Sequence, residues 1–151
     1  MSTLYTAPSF LTRLAPWTLA ALVAAGCAAK GDPPLPPPAG NRENGALILT
    51  QDDNDRSAEL RVGERVVARL PENPSTGYTW AIDETDRRLL ALDSTDYTSS
   101  EAGFIGARGQ RTFTFTARQA GDAALKLKYW RFWEGDASTT KQYVVNLRIL
   151  P

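Results

Sequence analysis

The sequence predicts an all-β domain, an immunoglobulin-like sandwich of two sheets, and three observations carry that expectation. Apolar residues alternate with polar ones in short runs, at the period of two that a half-buried strand requires. Turn-forming glycine, proline, asparagine and aspartate recur between those runs across residues 45–151. No stretch of that region keeps a helical period. Seven or so strands in about 107 residues favour two packed sheets.

The elements follow in order. Ala46–Thr50 is a compact apolar run and the first strand. Glu59–Val62 and Val66–Leu70 flank Gly63 and Glu64, which read as a tight turn. Tyr78–Ile82 leaves a polar loop as the next strand, with Trp80 directed at the core. Leu89–Leu92 reads equally as a strand or a short helical turn. Within Gln110–Ala117, Phe113 and Phe115 alternate with Thr112, Thr114 and Thr116, so both rings share one face. Gln119–Asp122 is a turn, after which Leu125, Leu127 and Tyr129 alternate with Lys126 and Lys128. Gln142–Leu150 ends the series, setting Tyr143, Val145, Leu147 and Ile149 against Val144, Asn146 and Arg148.

Residues 1–26 read as a signal peptide. Arg13 is their only charge, and the apolar run Leu14–Ala25 is too short to serve as a stable membrane anchor. The run leads through Val23, Ala24, Ala25 and Gly26 into Cys27, the one cysteine of the chain. Small residues ahead of a single cysteine resemble a bacterial lipoprotein signal, with cleavage before Cys27 and lipid on its sulfur and on the new N-terminus. The rival reading is an ordinary secretory signal with an incidental cysteine. The place of Cys27 favours lipidation, and several acyl chains anchor firmly where one does not. The expected address is the cell envelope, the outer membrane rather than the inner, since Ala28 stands where inner-membrane retention uses aspartate. Residues 27–44 then form the lipidated cysteine and a linker holding Pro33, Pro34, Pro36, Pro37 and Pro38. Such a segment is semi-rigid and extended, at about 3 Å per residue.

Composition excludes several functions. The chain has no histidine, which removes Ser-His-Asp and Cys-His catalysis and most zinc sites. With 17 basic and 17 acidic residues and no basic cluster, nothing favours nucleic acid as a partner. A lone cysteine allows no internal disulfide, so a core must hold the domain. Asp52, Asp53 and Asp55 lack a calcium-loop pattern and read as a solvated turn. No phosphate-cradling glycine loop leads from a strand into a helix. The chain is expected to be no enzyme and to carry no cofactor or metal.

Function is instead concentrated in loops. In Asn73-Pro74-Ser75-Thr76-Gly77-Tyr78, Pro74 fixes its own φ and pushes Asn73 toward extended backbone. Gly77 supplies a position for φ above zero. The product is a stiff tip with two short hydroxyl side chains, which loses little entropy when a partner clamps it. A second loop, Gly103–Gly109, precedes the strand at Gln110, and a third, Tyr129–Glu134, follows the strand at Ala123. In the third, Trp133 has the better case for exposure, whereas Trp130 or Phe132 could serve the core.

Together these loops resemble the chagasin-type inhibitors of papain-like cysteine peptidases. That family carries, in this order, an Asn-Pro-Thr-Thr-Gly-(Tyr/Phe) loop, a glycine loop and an Arg-Pro-Trp loop. Here the first departs only at Ser75. The second, Gly106-Ala107-Arg108-Gly109, keeps the outer glycines, and the third keeps Arg131 and Trp133 around Phe132. The resemblance spans about Gly45 to Pro151 and implies a monomeric, reversible, non-covalent inhibitor. It implies three loops side by side, Asn73–Tyr78 in the middle with Ser75 and Thr76 at the catalytic cysteine and the other two gripping the cleft. The alternative is an immunoglobulin-like adhesion or assembly module without effect on peptidases.

Overall fold

Nine strands build two sheets in the computed structural model, which describes residues 33–99 and 108–151. They are β1 (Asn41–Glu43), β2 (Ala46–Leu49), β3 (Arg56–Arg61), β4 (Arg65–Glu72), β5 (Thr79–Glu84), β6 (Leu90–Ser99), β7 (Gly109–Ala117), β8 (Gly121–Trp130) and β9 (Lys141–Leu150). One sheet runs β1-β2-β4-β7-β6 and the other β3-β9-β8-β5. Pairing is antiparallel except for β2 with β4 and β3 with β9, where the chain returns to a strand it left earlier.

Alternation places the core where the sequence predicts it. Val66, Leu70 and Phe115 from the first sheet meet Leu125, Tyr143 and Val145 from the second, each at most 1% exposed. Burying a side chain of this size contributes about 1.5–3 kcal/mol, the main source of stability in a domain without a disulfide. Trp80 is buried as expected and rests against Tyr129 and Tyr143.

Three local readings gain detail. Gly63 does make a tight turn, with φ of +88° and the Glu64 N–H donating to Arg61 O at 3.0 Å. Its flanking strands β3 and β4 lie in different sheets, so the turn is a corner between sheets and not a hairpin. Of Leu89–Leu92, which reads equally as strand or helical turn, Leu89 closes a turn with its N–H on Asp86 O at 3.0 Å, and Leu90 begins the ten-residue β6, which pairs along β7 with a bulge between Leu92 and Ser94. The linker, expected to run to residue 44, gives its last residues to the fold. Ala39 is buried, and Asn41–Glu43 pairs with Ala46–Ile48. The cause is Asn44-Gly45, both at positive φ, a dipeptide suited to a two-residue hairpin turn.

Asp53 corrects the reading of residues 52–55 as solvated. It is buried, and its carboxylate accepts from Gly40 N at 2.7 Å, Thr50 N at 2.8 Å and Thr50 Oγ1 at 3.2 Å. It therefore fastens the incoming chain to the end of β2. Asp53→Ala orphans two backbone donors, and urea denaturation should show a stability loss of about 2 kcal/mol. A loss below about 0.5 kcal/mol would deny the carboxylate that role.

Strand register sends the chain's functional segments to one end. Glu72, the last residue of β4, pairs with Gly109, and Gly109 pairs with Ser99 on its other side. Thr79, the first residue of β5, pairs with Trp130, the last of β8. The loop 73–78, the segment between β6 and β7, and the loop after Trp130 thus all leave from the same end of the sandwich.

Candidate functional site

The first loop carries the chain from one sheet to the other, and every residue of its motif shapes it. Pro74–Thr76 forms one 3-10 turn, entered from extended Asn73 and closed by Gly77 at φ of +76°. Asn73 Oδ1 accepts from Ser75 N at 3.2 Å and Ser75 Oγ at 2.6 Å. Thr76 Oγ1 donates to Asn73 O at 2.8 Å, and Gly77 N donates to Pro74 O at 3.0 Å. Pro74, Ser75 and Thr76 are exposed, whereas Asn73, Gly77 and Tyr78 are half-buried. The apex is held by its own hydrogen bonds, and both hydroxyl protons are directed into the loop.

The third loop is bolted to the first. Arg131 Nε and Nη2 donate to Thr76 O at 3.2 and 3.1 Å, and Nη1 pairs with Glu134 at 2.9 Å. The Arg131 guanidinium also lies over the Tyr78 ring, 4.4 Å from its centroid. Trp133 leans on Gly77, where a Cβ would meet the indole edge at 2.6 Å. Arg131, expected among the residues that touch the peptidase, also clamps the two loops together, with its donors on Thr76 and Glu134. Ser138 steadies the third loop from behind, accepting from Arg131 N at 3.0 Å. Lys128 does so from the side, with Asp136 and Asp83 as partners, and its ammonium lies 4.1 Å from the Trp130 ring centroid. The hydrogen bond from Lys128 to Asp136 comes first among the causes that raise Lys128 above its ordinary pKa.

Phe132 and the outer face of Trp133 project from this framework into solvent. The two residues are 69% and 58% exposed, which corrects the reading in which Phe132 serves the core. Their rings meet edge to face at 5.0 Å, forming one apolar ridge beside the first loop. Trp130 is half-buried. Of the second loop, Gly106 and Ala107 lie outside the described residues, Arg108 is exposed, and Gly109 opens β7. Cys27 also lies outside them.

Sequence reading missed the foundation of the first loop. Tyr129 stacks on Tyr78, with ring centroids 5.4 Å apart, and its hydroxyl accepts from Asn73 N at 3.2 Å. Glu72, 3% exposed, accepts from Trp80 N at 2.9 Å and Thr79 Oγ1 at 3.1 Å, which ties the two roots of the loop together. The only signal for Glu72 was its place in the inward row of Val66, Ala68 and Leu70, a charge where an apolar residue was due. Among the described residues no group of three or more histidine, cysteine, aspartate or glutamate side chains is placed to hold a metal ion.

Comparison with known proteins matches this arrangement to one family. The sequence model described as "Chagasin family peptidase inhibitor I42" matches residues 59–147. Chagasin of Trypanosoma cruzi is 29% identical over 104 residues, covering 66% of this chain and 94% of chagasin. The crystal structure of a cysteine protease inhibitor from Entamoeba histolytica superposes with a TM-score of 0.62 at 24% identity, covering 68% of this chain and 94% of that one. PbICP-C, solved in complex with falcipain-2, shares the fold with a TM-score of 0.52 at 13% identity, over 76% of this chain and 98% of its own.

Proposed function

The chain belongs to the chagasin family of peptidase inhibitors; we propose that it inhibits papain-like cysteine peptidases reversibly, with Asn73–Tyr78 seated in the active-site cleft as a rigid wedge. It is an inhibitor and not an enzyme, which displaces the reading as an adhesion module. One observation carries the mechanism: the exposed apex Pro74–Thr76 is already held in one turn, capped by Asn73, closed by Gly77 and fastened at its last carbonyl by Arg131. A wedge ordered before contact gives up little entropy on binding.

The same order protects the loop from cleavage. A peptidase attacks a carbonyl aligned with its nucleophile in an extended substrate. Here the apex backbone is wound into a 3-10 turn, and Thr76 O is bound by two guanidinium donors. Contact at the catalytic cysteine therefore leads to occupancy without acyl transfer. Phe132 and Trp133 supply an apolar anchor on one flank, and Arg108 and Gly109 begin the other. The soluble chain from Ala28 onward should inhibit papain competitively below micromolar concentration, as a monomer. Absence of inhibition at micromolar concentration would overturn this reading.

We further propose that Cys27 carries lipid and holds the inhibitor at the envelope, on the outer membrane. The support is the short apolar run ending in Ala25-Gly26-Cys27 and the proline-rich segment after it. Cys27→Ser should accumulate as unprocessed precursor, seen as a larger band without incorporated fatty acid. Normal processing and membrane retention of that variant would refute the anchor.

A further inference from the structure

Resting on the wedge reading, we propose that the Arg111–Glu72 ion pair is a positioning device for inhibition, joining the roots of the first loop to both strands that flank the second. Arg111 Nη2 donates to Glu72 Oε1 at 2.6 Å, Nε donates to Oε2 at 3.1 Å, and Nη2 also reaches Thr79 Oγ1 at 3.3 Å. The Glu72 side chain is 1% exposed and the Arg111 side chain 23%. One carboxylate thus collects the end of β4, the start of β5 through Thr79 and Trp80 N, and the start of β7. The hydrogen bond to Glu72 comes first among the causes that raise Arg111 above its ordinary pKa.

The strand entering the second loop joins the same cluster. Tyr97 of β6 pairs in register with Arg111, whose guanidinium lies 5.4 Å from the Tyr97 ring centroid. The Tyr97 ring covers Gly109, where any Cβ would collide with the Tyr97 hydroxyl and with Thr98 O. Gly109 is therefore required for close approach, and that approach keeps Tyr97 over Arg111. β4, β5, β6 and β7 all converge on one ion pair at the root of the first loop, its carboxylate buried and its guanidinium partly so.

Stability alone does not account for a charge pair at this place. A buried ion pair can often be replaced by apolar groups of similar volume at no cost in stability. What such a pair contributes instead is fixed geometry, because a two-pronged guanidinium–carboxylate contact sets distance and angle together. Without it the loop roots keep their sheet pairing but lose their common anchor. The first loop then spends part of its time outside the form that fits a cleft, and apparent affinity falls by that fraction. Such a loss appears in the association rate, whereas loss of a direct contact appears in the dissociation rate.

The test compares the soluble chain from Ala28 onward with its Glu72→Gln/Arg111→Met variant, which removes both charges at nearly constant volume. Three readouts are needed: urea denaturation, rate constants for papain inhibition, and ¹⁵N relaxation of Ser75, Thr76 and Gly77. The expected result is a folded variant with association about tenfold slower, dissociation within about twofold of wild type, and lowered order parameters at those amides. A folded variant with both rate constants within about twofold of wild type overturns the inference and leaves the wedge reading intact. Dissociation about tenfold faster with unchanged association also overturns it, since Arg111 or Glu72 would then touch the peptidase. If wild type itself fails to inhibit, the wedge reading falls and the inference falls with it. Should the double variant not fold, Arg111→Lys, which keeps the charge without the fork, decides by the same rate constants.

Discussion

Gly77→Val should weaken inhibition of papain about a hundredfold or more, roughly 3 kcal/mol, while the domain stays folded. Two independent penalties meet at this residue. Its φ of +76° lies where a β-branched side chain is a genuine outlier. Its missing Cβ leaves room for Trp133, whose indole edge would stand 2.6 Å from the new atom. The variant must therefore unwind the turn, displace Trp133, or both, and each outcome spoils a surface offered to the peptidase. The core is untouched, because Pro74–Thr76 is exposed and no residue of the turn is buried. The measurement is a competitive inhibition constant beside a urea melt. Unchanged inhibition by the Gly77→Val protein would mean that loop geometry does not govern binding.

Trp133→Ala should cost about 2 kcal/mol or more, roughly thirtyfold in affinity. A half-exposed tryptophan braced by neighbours is the type of residue that dominates interface energies. Trp133 is braced on one side by Gly77 and on the other by the edge of Phe132. Its removal leaves the Arg131–Thr76 clamp in place, so the wedge keeps its shape and only the flank is lost. The dissociation rate should therefore carry the effect. An affinity within about threefold of wild type would exclude Trp133 as an anchor, and Phe132 would then be the ring to replace.

Much of this architecture was legible in the sequence because its causes are local. Alternation in β7, β8 and β9 reports burial directly, and Phe113, Leu125 and Val145 face the core as the period of two demands. The first loop was legible because Pro74 and Gly77 restrict their own backbone. Less visible were features that depend on register between distant strands. Leu89–Leu92 lacked a pattern because it spans a turn and the start of β6, an edge strand whose residues 93–96 are all exposed and carry no alternation. Asp53 looked like a surface acid because its donors, Gly40 and Thr50, are brought to it only by the fold. The clamping role of Arg131 was hidden for a related reason. An arginine in a binding motif suggests contact with the partner, yet Thr76 O lies 55 positions away in sequence and 3.1 Å away in space. The Asn44-Gly45 turn was legible but unread, hidden by the prolines before it.

The most direct test of wedge inhibition is the fate of the loop itself during prolonged contact with active peptidase. The soluble chain should be incubated with papain at equal concentration, and both residual activity and intact mass followed over hours. Wedge inhibition predicts suppressed activity, full recovery of activity on dilution, and an inhibitor whose mass shows no cut between Asn73 and Tyr78. Cleavage within that loop, or activity that returns as the chain is consumed, would show that it is a substrate and contradict the mechanism.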